Sequence, residues 1–139
     1  SMALMVLDLD GFKCVNDSEG HDAGDQVLIE VANRLNNLTR KSDIVARWGG
    51  EEFVIALNDT TQETATLLAQ RFLQTISQPI DIGKDKTASV GASIGIVICP
   101  ENAASFNTAF ECADIAMYQV KQAGKRNVRV YNPQATALL

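Results

Sequence analysis

The chain has 139 residues, 46% hydrophobic and 21% charged, the ordinary balance of a single globular domain with a real core. Seventeen acidic against twelve basic residues give a net charge of −5, which argues against a nucleic-acid groove or an anionic membrane surface as partner. Three scattered cysteines with no CxxC pair, one histidine and no membrane-length apolar run argue against zinc and read as reduced thiols of a cytoplasmic domain.

Ser1-Met2 reads as a cloning scar, so the chain is expected to be cut from something longer. Leu4 to Leu9 forms an apolar strand that belongs in the centre of a sheet, because both of its faces must be buried. It runs into Asp8-Leu9-Asp10-Gly11, where Asp8 and Asp10 share one side of the pleat. Acids there are costly without a partner; Asp10 can be read as a cap of the following helix, an account that serves Asp8 less well. Phe12 to Asp17 predicts a short helical turn, Gly20-His21-Asp22 a loop, and Ala23 to Leu38 a long amphipathic helix burying Val27, Leu28, Val31, Leu35 and Leu38. Asp25 falls in its first turn, where the helix dipole alone favours an acid.

Ile44 to Trp48 and Phe53 to Leu57 are strands joined at Gly49-Gly50, a strong hairpin signal because glycine accepts positive φ. Glu51 and Glu52 follow at the tip, where a phosphate or metal can approach bare backbone. Thr60-Thr61-Gln62-Glu63 reads as a capping box for a second helix with Ala65, Leu68, Ala69, Phe72 and Ile76 inward, ended by Pro79. Lys86 to Cys99 is β-rich. A third helix from Ser105 to Gln122 turns Phe106, Phe110, Ala113, Met117 and Val120 inward and closes at Gly124; Asn127 to Tyr131 is a last strand.

The order β-α-β-β-α-β, followed by an added helix and strand, predicts an α+β fold with a ferredoxin-like, palm-type core and a mostly antiparallel central sheet. In such a core the first strand lies beside the strand after the hairpin, so Asp8 and the Glu51-Glu52 pair converge at one sheet end. Two carboxylates about 4 Å apart repel by roughly 4 kcal/mol at an effective dielectric near 20, and a cation between them relieves this. All-oxygen ligands favour Mg²⁺ or Mn²⁺, the arrangement of metal-assisted phosphoryl transfer.

Gly49-Gly50-Glu51-Glu52-Phe53 resembles the signature of the GGDEF family, the diguanylate cyclases, in its GGEEF form. Asp8-Leu9-Asp10-Gly11-Phe12-Lys13-Cys14-Val15-Asn16-Asp17 is similar to the family's DxDxFKxxND, and Gly20 to Asp25 to its GHxxGD. Ser93-Ile94-Gly95 resembles its SIG strand, and Ala113 to Lys121 its AD-x-A-(L/M)-Y-x-A-K helix. The resemblance implies a Mg²⁺- or Mn²⁺-dependent nucleotidyltransferase that joins two GTP into cyclic di-GMP and releases two pyrophosphates, as a homodimer in which each 3′-hydroxyl attacks the other α-phosphate. By the same resemblance Asp8, Glu51 and the Leu9 carbonyl are metal ligands, and Glu52 assists at the metal or the reacting hydroxyl. Asn16 and Asp25 read the guanine edge, Gly49 and Gly50 line the substrate, and Phe12, Lys13, Lys121, Lys125 and Arg126 surround the phosphates.

Arg40-Lys41-Ser42-Asp43 is an RxxD five residues before Gly49-Gly50, the family's placement of a product-inhibition site for cyclic di-GMP. Arg40 and Asp43 can also simply pair at a helix-to-strand corner; Arg71 is expected to contribute from a partner domain. The expected domain is 3–132, without the family's preceding DxLTxLxNR helix, with 133–139 as tail or linker. A linked sensor or EAL phosphodiesterase domain is expected in the parent protein, whose membrane attachment would leave this part in the cytoplasm. The competing reading is a GTP- or cyclic-di-GMP-binding regulatory module.

Overall fold

A strand apolar on both sides over most of its length has to be sandwiched, and β1 (Met2–Asp10) is the middle strand of a five-stranded sheet. The computed structural model describes residues 1–134, so the expected tail lies outside the described residues from 135 onward. Along the chain follow α1 (Phe12–Glu19), α2 (His21–Leu38), β2 (Ile44–Gly49), β3 (Glu52–Leu57), α3 (Gln62–Ile76), β4 (Ile80–Gly83), β5 (Lys86–Ala88), β6 (Gly91–Cys99), α4 (Phe106–Gln122) and β7 (Asn127–Val130).

The sheet order is β2-β3-β1-β6-β7, with β1 antiparallel to both β3 and β6, β2 antiparallel to β3, and β7 parallel to β6. The first four of these strands have the ferredoxin-like arrangement expected, and α4 with β7 is the addition. Alternation divides the core. Met5, Leu7 and Leu9, with Phe53, Ile55 and Ile94, pack with buried residues of α2 and α3, whereas Leu4, Val6, Val54 and Val97 pack with Ala109, Ala113 and Met117 of α4. Gly95 fixes the second layer. A Cβ there would lie 2.0 Å from the Ala113 carbonyl oxygen and 2.3 Å from the Met117 nitrogen, so α4 rests directly on β6.

Several local expectations change. The β2–β3 turn is Gly50-Glu51, because Gly49 pairs with Glu52; only Gly50 has positive φ (45°), and the register slip leaves Trp48 as a bulge. α2 begins at His21, since Gly20 alone, with φ 95°, makes the corner and removes the expected loop. Asp25 therefore lies past the first turn, where the only acid is Asp22. Thr61, and not a Thr60–Glu63 box, caps α3 by accepting from the Thr64 amide at 3.1 Å. The β-rich stretch is divided: β5 pairs only with β4 in a separate hairpin, and β6 alone joins the main sheet. Phe106 is half exposed rather than inward, lying against Trp48 with ring centroids 5.8 Å apart. Gly124 ends α4 as expected; its φ of 121° lets the Lys125 amide reach the Val120 carbonyl at 2.9 Å.

Candidate active site

Along the face of β1 that α4 covers, the side chains run Leu4, Val6, Asp8, Asp10, so the face turns from apolar to acidic at one end. Asp8 stands opposite Glu52 on β3 and opposite Ser93 on β6. The hairpin tip is tied to this end, because the Leu9 amide donates to the Glu51 carbonyl at 3.1 Å. A residue in an antiparallel ladder bonds one neighbour through both its N–H and its C=O, so the Leu9 carbonyl leaves the strand on the hairpin side too. Arg47 braces the turn by donating from Nε to the Gly50 carbonyl at 3.0 Å. A Cβ at Gly49 or Gly50 would meet nothing within 4 Å, so the tip is open to a ligand.

Lys121, near the end of α4, donates to Asp8 Oδ1 at 3.0 Å and to Asp10 Oδ1 at 2.7 Å. Asp10 is 2% exposed, and it does not cap α1: the cap residue is Gly11, in the left-handed region, with no side-chain bond to the helix. Its carboxylate instead accepts from Ser93 Oγ, Lys121 Nζ and the Arg126 amide. Arg126 thus reaches the acidic end through its backbone, while its side chain lies over Gly91, within 2.6 Å of where a Cβ would be. Lys13 and Lys125 are exposed, and Phe12 is buried in the core, leaving its backbone at the uncapped start of α1 to meet a ligand.

Charge is out of balance here. Burial, and then the Asp8 carboxylate, push the Glu51 carboxyl up despite Lys121. Burial also raises Glu52, followed by Asp114 on α4, Asp8 and Glu51; Asp114 is raised by burial and by Asp8. For Lys121, burial opposes the charge, but the bonds from Asp10 and Asp8 prevail and raise it. Two acids plus a backbone carbonyl form an all-oxygen set short of positive charge, which suits a hard divalent cation. Among the described residues no three acidic, His or Cys side chains are grouped so as to hold a metal ion by themselves. Asp10, Ser93 and Asp114 were not singled out as site residues from sequence, although each lies inside a motif that was.

Beyond β1 in the chain, α1 and α2 meet at Gly24. A Cβ there would lie 1.8 Å from Asn16 Oδ1 and 3.3 Å from Phe12 Cζ, so the missing side chain makes room for Asn16. Asp25 is the next residue, exposed beside it. The pair offers an amide and a carboxylate to a ligand edge.

A second cavity of about 420 Å³ is lined by Arg40, Asp43 and Arg71 from one chain, with Leu57, Leu67 and Leu68. Arg71 therefore needs no partner domain to join it. Arg40 does pair with Asp43, through Nε at 3.2 Å and Nη2 at 3.1 Å, and it also donates to the Asn58 carbonyl. Burial would raise the Asp43 carboxyl, but the Arg40 side chain and the Arg40 and Asn58 amides hold it below its ordinary value.

Comparison with known proteins points the same way. Residues 1–127 match the family described as "Diguanylate cyclase, GGDEF domain". The chain is 41% identical over 135 residues to a protein named probable diguanylate cyclase DgcE of Escherichia coli, covering 97% of this chain but 12% of that protein. It is 37% identical over 133 residues to cyclic di-GMP phosphodiesterase NbdA of Pseudomonas aeruginosa, covering 96% and 17% of the two. The crystal structure of the GGDEF domain of TpbB from Pseudomonas aeruginosa superposes with a TM-score of 0.91 at 35% identity, over 94% of this chain and 82% of that one. The chain thus spans less than a fifth of the length of either curated relative.

Proposed function

Since the chain belongs to the GGDEF family, we propose that it is a diguanylate cyclase domain, joining two GTP into cyclic di-GMP with release of two pyrophosphates. The observation that carries this reading is the acidic sheet end: Asp8 opposite Glu52, with Glu51 tied to Leu9 and Lys121 reaching in from α4.

Asp8, Glu51 and the Leu9 carbonyl would hold Mg²⁺ or Mn²⁺. The ion, when bound, neutralises phosphate charge and makes the α-phosphorus more electrophilic. Glu52 would accept the proton of the attacking 3′-hydroxyl, a role supported by a carboxyl raised by burial and by the acids around it. Lys13, Lys121 and Lys125, with the free amides of α1, would hold the triphosphate. Asp25 would accept from the guanine N1–H and 2-amino group, with Asn16 at the same edge; adenine would leave that carboxylate without a donor. Each domain would supply one nucleotide, so a two-fold pair of domains would complete the site. Arg40, Asp43 and Arg71 would bind the cyclic product, because guanidinium forks suit phosphate and guanine acceptors.

A second reading has one observation behind it, the match to a protein named as a phosphodiesterase. On that reading the domain binds GTP or cyclic di-GMP and regulates a linked EAL domain or responds to a linked sensor. Incubation with GTP and Mg²⁺ at several protein concentrations, with chromatography of the products, separates the two. Cyclic di-GMP formed with a steeper than linear dependence on protein, and lost in Glu51→Ala, supports the cyclase. GTP binding without product at any concentration supports the regulator.

A further inference from the structure

Asp10 was read from sequence as a helix cap and has no part in the chemistry above, yet it is the most enclosed acid of the site. Its side chain is 3% exposed, against 20% for Asp8. Oδ1 accepts from Lys121 Nζ at 2.7 Å and Ser93 Oγ at 2.9 Å; Oδ2 accepts from the Arg126 amide at 2.9 Å and the same hydroxyl at 3.0 Å. The donors come from β6, α4 and the turn before β7, up to 116 residues away in sequence. A buried carboxylate survives only with such partners, and here both oxygens are engaged by protein donors, the single Ser93 hydroxyl proton being shared between them.

We infer that Asp10 is a positioning residue for phosphate binding: it holds the Lys121 ammonium and the Lys125–Arg126 turn beside Asp8 without touching metal or substrate. This rests on the cyclase reading of the site. Lys121 divides its donors between the two acids, and the bond to Asp10 is the shorter. With Asp8 engaged by a cation, Asp10 would still hold the ammonium in place, and the N–H now given to Asp8 would be available to a phosphate oxygen. The turn depends on it as well. Lys125 and Arg126 have φ of 66° and 52°, a costly region for side chains of this kind, and the Arg126 amide bond to Asp10 helps to fix it.

The test compares binding of two probes by calorimetry in Mg²⁺: 3′-deoxyguanosine triphosphate, which cannot react, and guanosine, which has no phosphate. Asp10→Asn keeps the shape but removes the charge and sets an amide against one of the donors. It is expected to weaken the triphosphate roughly tenfold, the order of a charge-assisted bond, and to leave guanosine unchanged. In a Lys121→Met background the same substitution is expected to add little, because most of its effect passes through that lysine. Ser93→Ala, which keeps the acid, is expected to weaken the triphosphate by a smaller factor and guards against a variant that does not fold. Unchanged triphosphate binding, equal weakening of both probes, or simple additivity with Lys121→Met would each overturn the inference while the cyclase reading stands. Wild-type protein that binds no triphosphate would overturn both.

Discussion

Asp8 and Glu52 stand directly opposite each other in the antiparallel register of β1 and β3, on the side of the sheet that α4 covers. Paired side chains in a ladder approach within about 5 Å, and like charges so placed are destabilising. The surroundings carry the same strain: burial, and then neighbouring acids, raise the Glu51 and Glu52 carboxyls, and Lys121 is held between Asp8 and Asp10. A site built this way trades folding stability for cation affinity.

The first prediction concerns pH and metal. The folded-state values of Glu51 and Glu52 lie above the ordinary 4.5, so the native protein binds more protons than the unfolded chain in that range. Metal-free stability should therefore rise as pH falls from neutral through the raised values toward 4.5, and gain nothing more from these groups below it. Mg²⁺, binding only the native state, should raise Tm near pH 8 and do so less near pH 5, where protons compete. Melts with and without chelator at both pH values check this. A metal-free Tm that falls steadily on mild acidification would count against the charge imbalance.

Glu51→Gln provides the second. Removing one of the repelling charges should leave metal-free stability equal or higher by a few tenths of a kcal/mol, while abolishing both the Mg²⁺-induced rise in Tm and product formation. A variant that loses activity yet keeps the full metal response would remove Glu51 from the ligand set.

Two glycines make opposite forecasts from the same kind of crowding. At Gly24 the atom in the way is the end of the Asn16 side chain, which can swing aside, and alanine improves helix propensity by about 1 kcal/mol. Gly24→Ala should keep the fold and lose GTP affinity, because Asn16 is displaced from beside Asp25. At Gly95 the atoms in the way are α4 backbone, which cannot yield without lifting the helix from β6. Gly95→Ala should cost about 2 kcal/mol or more, the range of overpacked cores, in urea denaturation. Equal effects of the two substitutions on stability would contradict the packing described.

What the sequence made legible was what local pattern encodes. The apolar run of β1 announced a central strand, and the spacing of Val27, Val31 and Leu35 announced the buried face of α2. Asp10 was misread because an acid before Gly11 at a helix start has the same appearance whether it caps or not; its real partners are 83, 111 and 116 residues away. Phe106 was misplaced because helical periodicity cannot see Trp48, which the β2 bulge brings against α4. The β4–β5 hairpin was missed because strands of four and three residues around Lys84-Asp85 are too short for the Ile80–Ile82 alternation to stand out. For Asp25, which spacing alone left as an acid favoured by a helix dipole, the ligand role proposed above comes from the motif resemblance.

The last prediction separates the two arginines of the second cavity. Arg40 has a structural occupation: Asp43, with its side chain only 2% exposed, accepts both its amide and its guanidinium. Arg71 lines the same cavity from α3 with its side chain largely in solvent. Truncating either should weaken cyclic di-GMP binding by about tenfold or more, since each would remove a charge-assisted contact to a phosphate or a guanine. Only Arg40→Ala should also lower stability, by roughly 1 kcal/mol, because it leaves a buried carboxylate with the Arg40 and Asn58 amides alone. Arg71→Ala should leave Tm unchanged within error. Calorimetric titration with cyclic di-GMP beside thermal melts reads both quantities on the same samples. Product binding that survives in both variants would assign the cavity no role in feedback, and the Arg40–Asp43 pair would then be no more than a corner brace between α2 and β2.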